Sequence, residues 1–195
     1  MTDHYFSATP DGPERRRTIR ARVWGDELEL VTANGVFSGD GLDLGTAVLL
    51  RESPVPTGQP RLLDLGCGYG PIAVALALGC QGAQVDAVDV NDRALGLVRR
   101  NAEAAGLGNV RACRPDEVPA DVAFSGMWSN PPIRAGKEAL HALLLRWLPR
   151  VQGASYLVVS KNLGSDSLAR WLVAEGYPTT RLSSHAGFRV LEVRR

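Results

Sequence analysis

The sequence predicts an α/β fold: a mostly parallel seven-stranded sheet with an antiparallel edge strand, preceded by a small N-terminal β-hairpin. Three observations predict it. From Arg61 onward short apolar runs alternate with helical patterns, the rhythm of β-α-β units and hence of a parallel sheet covered on both faces. Residues 18–24 alternate apolar and polar, residues 28–32 do so less strictly, and Gly25-Asp26 lies between them, a hairpin signal. The last two apolar runs, 179–184 and 188–194, follow each other without room for a helix and must pair antiparallel at one edge.

Each element has its own signal. The glycine at the hairpin tip supplies the positive φ of a type II′ turn. Residues 46–51 form a short apolar helix, ended by Ser53-Pro54-Val55-Pro56-Thr57-Gly58, the clearest boundary in the chain. The remaining strands are expected at 61–65, 84–88, 109–113, 122–128 and 154–160, with helices in the gaps. The helix from Asp92 to Ala105 has an acidic N-cap candidate, Arg99 and Arg100 near its C-terminal end and Gly106 beyond, as capping and the helix dipole favour.

Length and composition bound the function. With 195 residues, 45% of them hydrophobic and 22% charged, the chain suits one globular domain with a core that needs neither disulfides nor structural metal. No apolar run approaches the roughly 18 residues of a membrane span, and the first twenty residues are polar and Arg-rich, so a cytoplasmic location is expected. Cys67, Cys80 and Cys113 are scattered and lack C-x-x-C spacing, and His4, His141 and His185 lack metal-ligand spacing; no metal is expected. His141 lies on the apolar face of a helix with Leu140, Leu143, Leu144 and Trp147, which suits a structural role. A monomer is the default.

The first chemical motif is Asp64-Leu65-Gly66-Cys67-Gly68-Tyr69-Gly70, which ends an apolar strand and leads into a helix with Pro71 at its first position. Glycines there let the backbone approach a nucleotide-type ligand. The spacing excludes a nicotinamide or flavin fingerprint, because the third glycine of G-x-G-x-x-G falls on Pro71; a Walker loop is absent. Asp64-x-Gly66-x-Gly68-x-Gly70 resembles the first motif of class I S-adenosylmethionine-dependent methyltransferases. The resemblance implies the Rossmann-like class I methyltransferase fold, S-adenosyl-L-methionine as cofactor, and Asp64, Gly66, Cys67, Gly68 and Gly70 as its cradle. It also implies an acid at the end of the second core strand to grip the ribose hydroxyls, which a carboxylate does with two oxygens. Asp89 is the choice and Asp86 the alternative. Asp116, after the third core strand, stands where the family has an acid that meets the adenine amino group.

The second motif is Ser129-Asn130-Pro131-Pro132-Ile133, at the carboxyl end of the fourth core strand, where open α/β sheets bind ligands. Its prolines stiffen the backbone and leave carbonyls and the Asn side chain to act. It resembles the Asn-Pro-Pro-aromatic motif of methyltransferases that modify exocyclic or amide nitrogens, which implies that the Asn130 oxygen and the Pro131 carbonyl accept from the target amino group. Pro132 and Ile133 would then contact the substrate, although Ile133 replaces the aromatic residue that stacks on a base. Together with His4-Tyr5-Phe6-Ser7, Gly35-Val36-Phe37-Ser38 and Asp43-x-Gly45-Thr46, residues 129–137 resemble the bacterial small-subunit ribosomal RNA guanine-N2 methyltransferase family, of the "methyltransferase small" type, and its short relatives. The likeness is to the catalytic half; longer members carry a degenerate half before it. It implies a hairpin extension and pocket lid over 1–58, a methyltransferase core over 59–195 as one compact unit, and Phe37, Ser38 and Thr46 beside the cofactor. The expected function is N-methylation of a guanine amino group in ribosomal RNA or a small-subunit particle. Methylation of a protein glutamine, or a catalytically silent RNA-binding module, are the alternatives.

Charge supports an RNA partner. Residues 127–195 carry ten basic and four acidic groups, a balance of +6, against −3 for 1–60 and −2 for 61–126. Arg134 and Lys137, beside the acceptor motif, are candidate phosphate contacts. The run Arg15-Arg16-Arg17 with Arg20 and Arg22 suits either an RNA contact or a solvated edge.

Overall fold

The computed structural model describes residues 13–36, 41–132 and 136–195; Phe37, Ser38, Ile133 and Arg134 lie outside the described residues. The hairpin consists of β1 (Arg16–Val23) and β2 (Asp26–Ala33), paired antiparallel from Arg16↔Ala33 to Val23↔Asp26. That register makes the loop Trp24-Gly25, and both residues have positive φ, +50° and +98°. The turn is therefore of the type I′ class, not the II′ turn at Gly25-Asp26 that the sequence suggests. Trp24 tolerates the strained backbone because tertiary contacts hold it: its indole N–H donates to the Leu50 carbonyl at 2.7 Å, and its ring lies so close to Gly79 that a Cβ there would meet it at 2.8 Å.

After the hairpin come α1 (Leu44–Glu52), β3 (Arg61–Leu65), α2 (Pro71–Gly79), β4 (Gln84–Val88), α3 (Asp92–Ala104), β5 (Val110–Cys113), β6 (Gly126–Ser129), α4 (Lys137–Trp147), β7 (Ser155–Ser160), α5 (Ser165–Ala174), β8 (Thr179–His185) and β9 (Phe188–Val193). The seven core strands form one sheet in the order β5-β4-β3-β6-β7-β9-β8. The first five are parallel; β9 runs antiparallel to β7, and β8 pairs antiparallel with β9 to close the edge. The expected final hairpin is thus present, with its second strand inserted inside its first. β3 and β4 have the bounds the apolar runs predict, whereas the fourth core strand is shorter than 122–128, Phe124 contributing only an isolated bridge to Val151. α3 is capped by Asn91, whose side-chain oxygen accepts from the backbone N–H groups of Arg93 and Ala94, and not by an acid; Asp92 sits in the first turn.

Successive strand residues face opposite layers, so both faces bury apolar side chains and the strands read as near-continuous apolar runs. Leu62, Val85, Ala87, Trp128 and Val158 pack with α1, α2, α3 and the hairpin residues Ile19, Leu28 and Leu30. Leu63, Leu65, Val88, Met127 and Leu157 pack on the other face with Leu140, Leu144 and Trp147 of α4 and Leu168 and Leu172 of α5. The hairpin lies outside the helix layer, clasped by buried Asn101 of α3. The Asn101 oxygen accepts from Val31 N–H at 2.8 Å, and its amide nitrogen donates to the carbonyls of Val31 (3.0 Å) and Tyr69 (2.8 Å). Among the described residues no helix is long and apolar enough to cross a membrane.

Candidate active site

The chain leaves β3 toward β4 and β5 on one side, then crosses back to β6 on the other. That reversal opens a crevice at the carboxyl ends of β3 and β6, the place where such sheets bind ligands. The Gly66–Gly70 loop follows β3 and Asn130 follows β6, so topology alone brings the two motifs together. The Ser129 hydroxyl ties the strand ends by donating to the Leu65 carbonyl at 2.6 Å. The motifs touch at Gly66, where a Cβ would stand 3.7 Å from Cδ of Pro132.

The loop is held from below. The N–H groups of Gly66 and Cys67 both donate to the Val88 carbonyl, at 2.8 and 3.1 Å. Asp89, buried at the end of β4, accepts from Gly68 N–H through Oδ2 (2.9 Å) and from Asn91 N–H through Oδ1 (3.0 Å). Burial pushes its carboxyl up, against the pull of those N–H groups. Gly66, Gly68 and Gly70 have φ of +72°, +55° and +89°, a region costly for residues with a side chain. A notional Cβ at Gly66 or Gly68 would lie only at van der Waals distance from Pro132 Cδ (3.7 Å) or Val36 Cγ1 (4.0 Å), so nothing is crowded against the backbone there. Gly70 instead meets α3, its notional Cβ lying 3.0 Å from Cγ2 of Val98.

Asp64 is wholly buried beneath the loop. Its Oδ2 accepts from Ala73 N–H in the first turn of α2 at 2.9 Å, while Oδ1 has no partner among the described residues. Desolvation pushes its carboxyl up to about 8; the charge on Asp89 adds to this and the Ala73 bond opposes it. Burial likewise drives the Cys67 thiol well above its usual range, with Asp89 and Asp64 adding to the effect, so this cysteine is a poor nucleophile.

A shallow, solvent-open cleft lies over the loop, lined by Gly66 to Tyr69, by Pro71 and Ile72 of α2, by Asp43 and Thr46 at the start of α1, and by Asn130. The Asn130 amide nitrogen donates to Asp43 Oδ2 at 2.7 Å and to the Thr46 hydroxyl at 3.0 Å. Pro131 is buried and Pro132 half-buried beside them.

Not every expected residue converges here. Asp86 faces the opposite layer and gives Oδ2 to Arg61, at 2.9 Å from Nε and 2.7 Å from Nη2, so the alternative to Asp89 is committed elsewhere. Asp116 is exposed, its carboxylate 3.7 Å from Arg114 Nε and outside the cleft lining. Lys137 is exposed at the start of α4. His141 stacks on Trp171 with ring centroids 3.5 Å apart, which bridges α4 and α5. Two partners escape the sequence reading: Asp43, which holds Asn130, and Asn101, which braces Tyr69 of the loop. Asp43 stands three residues before Thr46, a capping signature that predicts the start of α1. Its second bond crosses 87 positions of sequence and leaves no local signal.

The family model described as "Methyltransferase small domain" matches residues 27–192. The chain is 33% identical over 172 residues to the YbxB protein of Bacillus subtilis, covering 86% of each. It is 34% identical over 170 residues to a ribosomal RNA small subunit methyltransferase C of Aeromonas hydrophila, covering 84% of this chain and 48% of that one. A solved T. thermophilus 16S rRNA N2 methyltransferase, in complex with AdoMet and guanosine, superposes with a TM-score of 0.81 at 25% identity over 95% of this chain and 52% of that one. The chain thus spans about half the length of these two RNA methyltransferases.

Proposed function

The chain belongs to the methyltransferase small domain family, and we propose that it is an S-adenosylmethionine-dependent N-methyltransferase that acts on the exocyclic amino group of a guanine in ribosomal RNA. The observation that carries this reading is the meeting of the Gly66–Gly70 loop with Asn130, whose amide nitrogen is spent on Asp43 and Thr46. What Asn130 offers a ligand is therefore its oxygen, an acceptor suited to an N–H donor.

The residues present fit the cofactor. Gly66 and Gly68 line the cleft without a side chain, so a ligand can lie against their backbone, and the Oδ1 of Asp64, partnerless among the described residues, is an acceptor matched to an ammonium group. In this reading Asp64, Gly66, Cys67, Gly68 and Thr46 surround the methionine part, Asp89 takes the ribose hydroxyls with the lone pairs its two backbone bonds leave over, and Phe37 and Ser38 complete the cofactor pocket, while Gly70 serves by its close packing on Val98. S-adenosylmethionine, when bound, supplies an electrophilic methyl group on a positively charged sulfur. Asn130 Oδ1 and the Pro131 carbonyl accept from the two N–H bonds of the target amine, which turns its lone pair out of conjugation and aims it at the cleft over Gly66. Rate enhancement then comes from positioning and fixed dipoles, with no need for a histidine base.

The RNA partner is supported by the relatives and by the +6 balance of residues 127–195, with Lys137 and Arg134 as phosphate contacts beside Pro132 and Ile133. A cytoplasmic monomer without metal completes the proposal. The test is incubation of the protein with radiolabelled S-adenosylmethionine and RNA from a strain that lacks the gene. Label is expected in RNA; label confined to protein would overturn the RNA reading in favour of a protein amide.

A further inference from the structure

We propose that Asp43 makes the acceptor site select the edge of guanine over other amino-bearing bases, acting both as the anchor of Asn130 and as a second acceptor beside it. The inference rests on the N-methyltransferase reading above. A carboxylate has no donor, so the Asn130 atom 2.7 Å from Asp43 Oδ2 is the amide nitrogen, and its other proton goes to Thr46 Oγ1 at 3.0 Å. Asn130 Oδ1 is thereby fixed as the end left for a ligand. Asp43 Oδ2 also accepts from Thr46 N–H at 2.9 Å and so caps α1, which leaves little freedom in the carboxylate plane. Asp43 Oδ1 accepts no hydrogen bond among the described residues, although this half-buried side chain lines the same cleft as Asn130.

Asn130 and Asp43 both line the cleft, and in this proposal their Oδ1 atoms serve a ligand there as a pair of acceptors, an amide oxygen and a carboxylate oxygen. Guanine matches this pair, because its exocyclic N2 amine is flanked by the ring N1–H, another donor. Adenine and cytosine do not match, because the ring nitrogen beside their amino group is an acceptor, which a carboxylate repels. A site that holds an acceptor for a donor rejects the analogue that lacks the donor more strongly than shape alone could. Gly45 fits the same arrangement: a Cβ there would meet Asp43 Oδ2 at 3.0 Å and the ring of Phe188 at 3.0 Å, so a larger residue would crowd the carboxylate.

The experiment titrates the full chain, saturated with S-adenosylhomocysteine, with guanosine and with 2-aminopurine riboside, which keeps the exocyclic amine but has an acceptor at N1. The wild-type protein is expected to bind guanosine tighter by about tenfold or more, the usual scale of one charge-assisted base contact. Asp43→Asn keeps one oxygen for the helix cap and turns the other acceptor into a donor; Asp43→Ser keeps a capping hydroxyl and removes the carboxylate. Both are expected to fold with an unchanged melting temperature and to lose the preference. Equal affinity for the two nucleosides in the wild type, no affinity for either, or a preference that survives in both variants overturns the assignment. Transfer of label from S-adenosylmethionine to RNA, measured alongside, separates the two levels of failure. Transfer without nucleoside preference rejects the role of Asp43 alone, whereas absence of transfer rejects the function on which it rests.

Discussion

Replacing Asp64 by asparagine tests whether the carboxyl beneath the loop holds its proton at neutral pH. Its pKa is pushed from 3.8 to about 8 by burial, first, and by the charge on Asp89. In the unfolded chain the same group ionises near its ordinary value. Between those two pH values the native state binds one proton more than the unfolded state, so stability falls as pH rises, by about 1.4 kcal/mol per pH unit, and levels off above pH 8. Over the whole window the loss attributable to this group is roughly 6 kcal/mol. The amide introduced by Asp64→Asn would keep an oxygen for Ala73 N–H and cannot ionise, so the variant lacks this slope. The pH-independent offset from its buried nitrogen does not affect the comparison. Urea unfolding of both proteins at pH 5, 6, 7 and 9 is the assay. The wild type is expected to lose about 1.4 kcal/mol per unit relative to Asp64→Asn between pH 5 and 7, and little more beyond pH 8. Added S-adenosylmethionine should flatten the wild-type slope, because a cationic ligand beside Oδ1 favours the ionised form. Parallel curves for the two proteins without ligand would show a carboxylate charged throughout, and the account of Asp64 would fail.

Asn130→Ala removes the proposed acceptor while the loop and Asp89 stay intact, so methyl transfer should fall by a factor on the order of one hundred or more. The dissociation constant for S-adenosylmethionine, measured by calorimetry, should change little; unaltered turnover would dismiss the acceptor role. Gly68→Ala places a Cβ on the cleft side of the loop at φ +55°, in ordinary contact with Val36 Cγ1 at 4.0 Å. The backbone strain of about 1–2 kcal/mol should lower the melting temperature modestly, while cofactor binding, blocked by the methyl group, should fall far more steeply. A variant that binds the cofactor like wild type would contradict the cradle.

The sheet was legible in the sequence because both of its faces are covered. Runs such as Leu62-Leu63 and Ala87-Val88 feed alternate residues to opposite layers, and that produces contiguous apolar stretches with clear limits. The Gly66–Gly70 loop was legible because three glycines at fixed spacing answer a backbone requirement that no other residue meets cheaply. Less could be read where tertiary contacts override local preference. Trp24 occupies a positive φ because Leu50 and Gly79 hold its ring, and turn statistics pointed one residue further on. Asn91 took the cap of α3 from the acid that follows it, a choice between adjacent residues that are both good caps. Asn130 reaches partners 87 and 84 residues away, and Asn101 braces Val31 and Tyr69 from 70 and 32 residues away, so no local window contains either set. The Asn-Pro-Pro motif marks the group proposed to act, and only the fold reveals what orients it.

The most direct measurement is the identity of the modified nucleoside. RNA methylated by the protein in vitro would be digested to nucleosides and resolved by mass spectrometry against synthetic standards. The account predicts N2-methylguanosine, and predicts its loss with Asn130→Ala. Methyl groups on an adenine or cytosine amine, or on a ring carbon or ribose oxygen, would contradict the site as described.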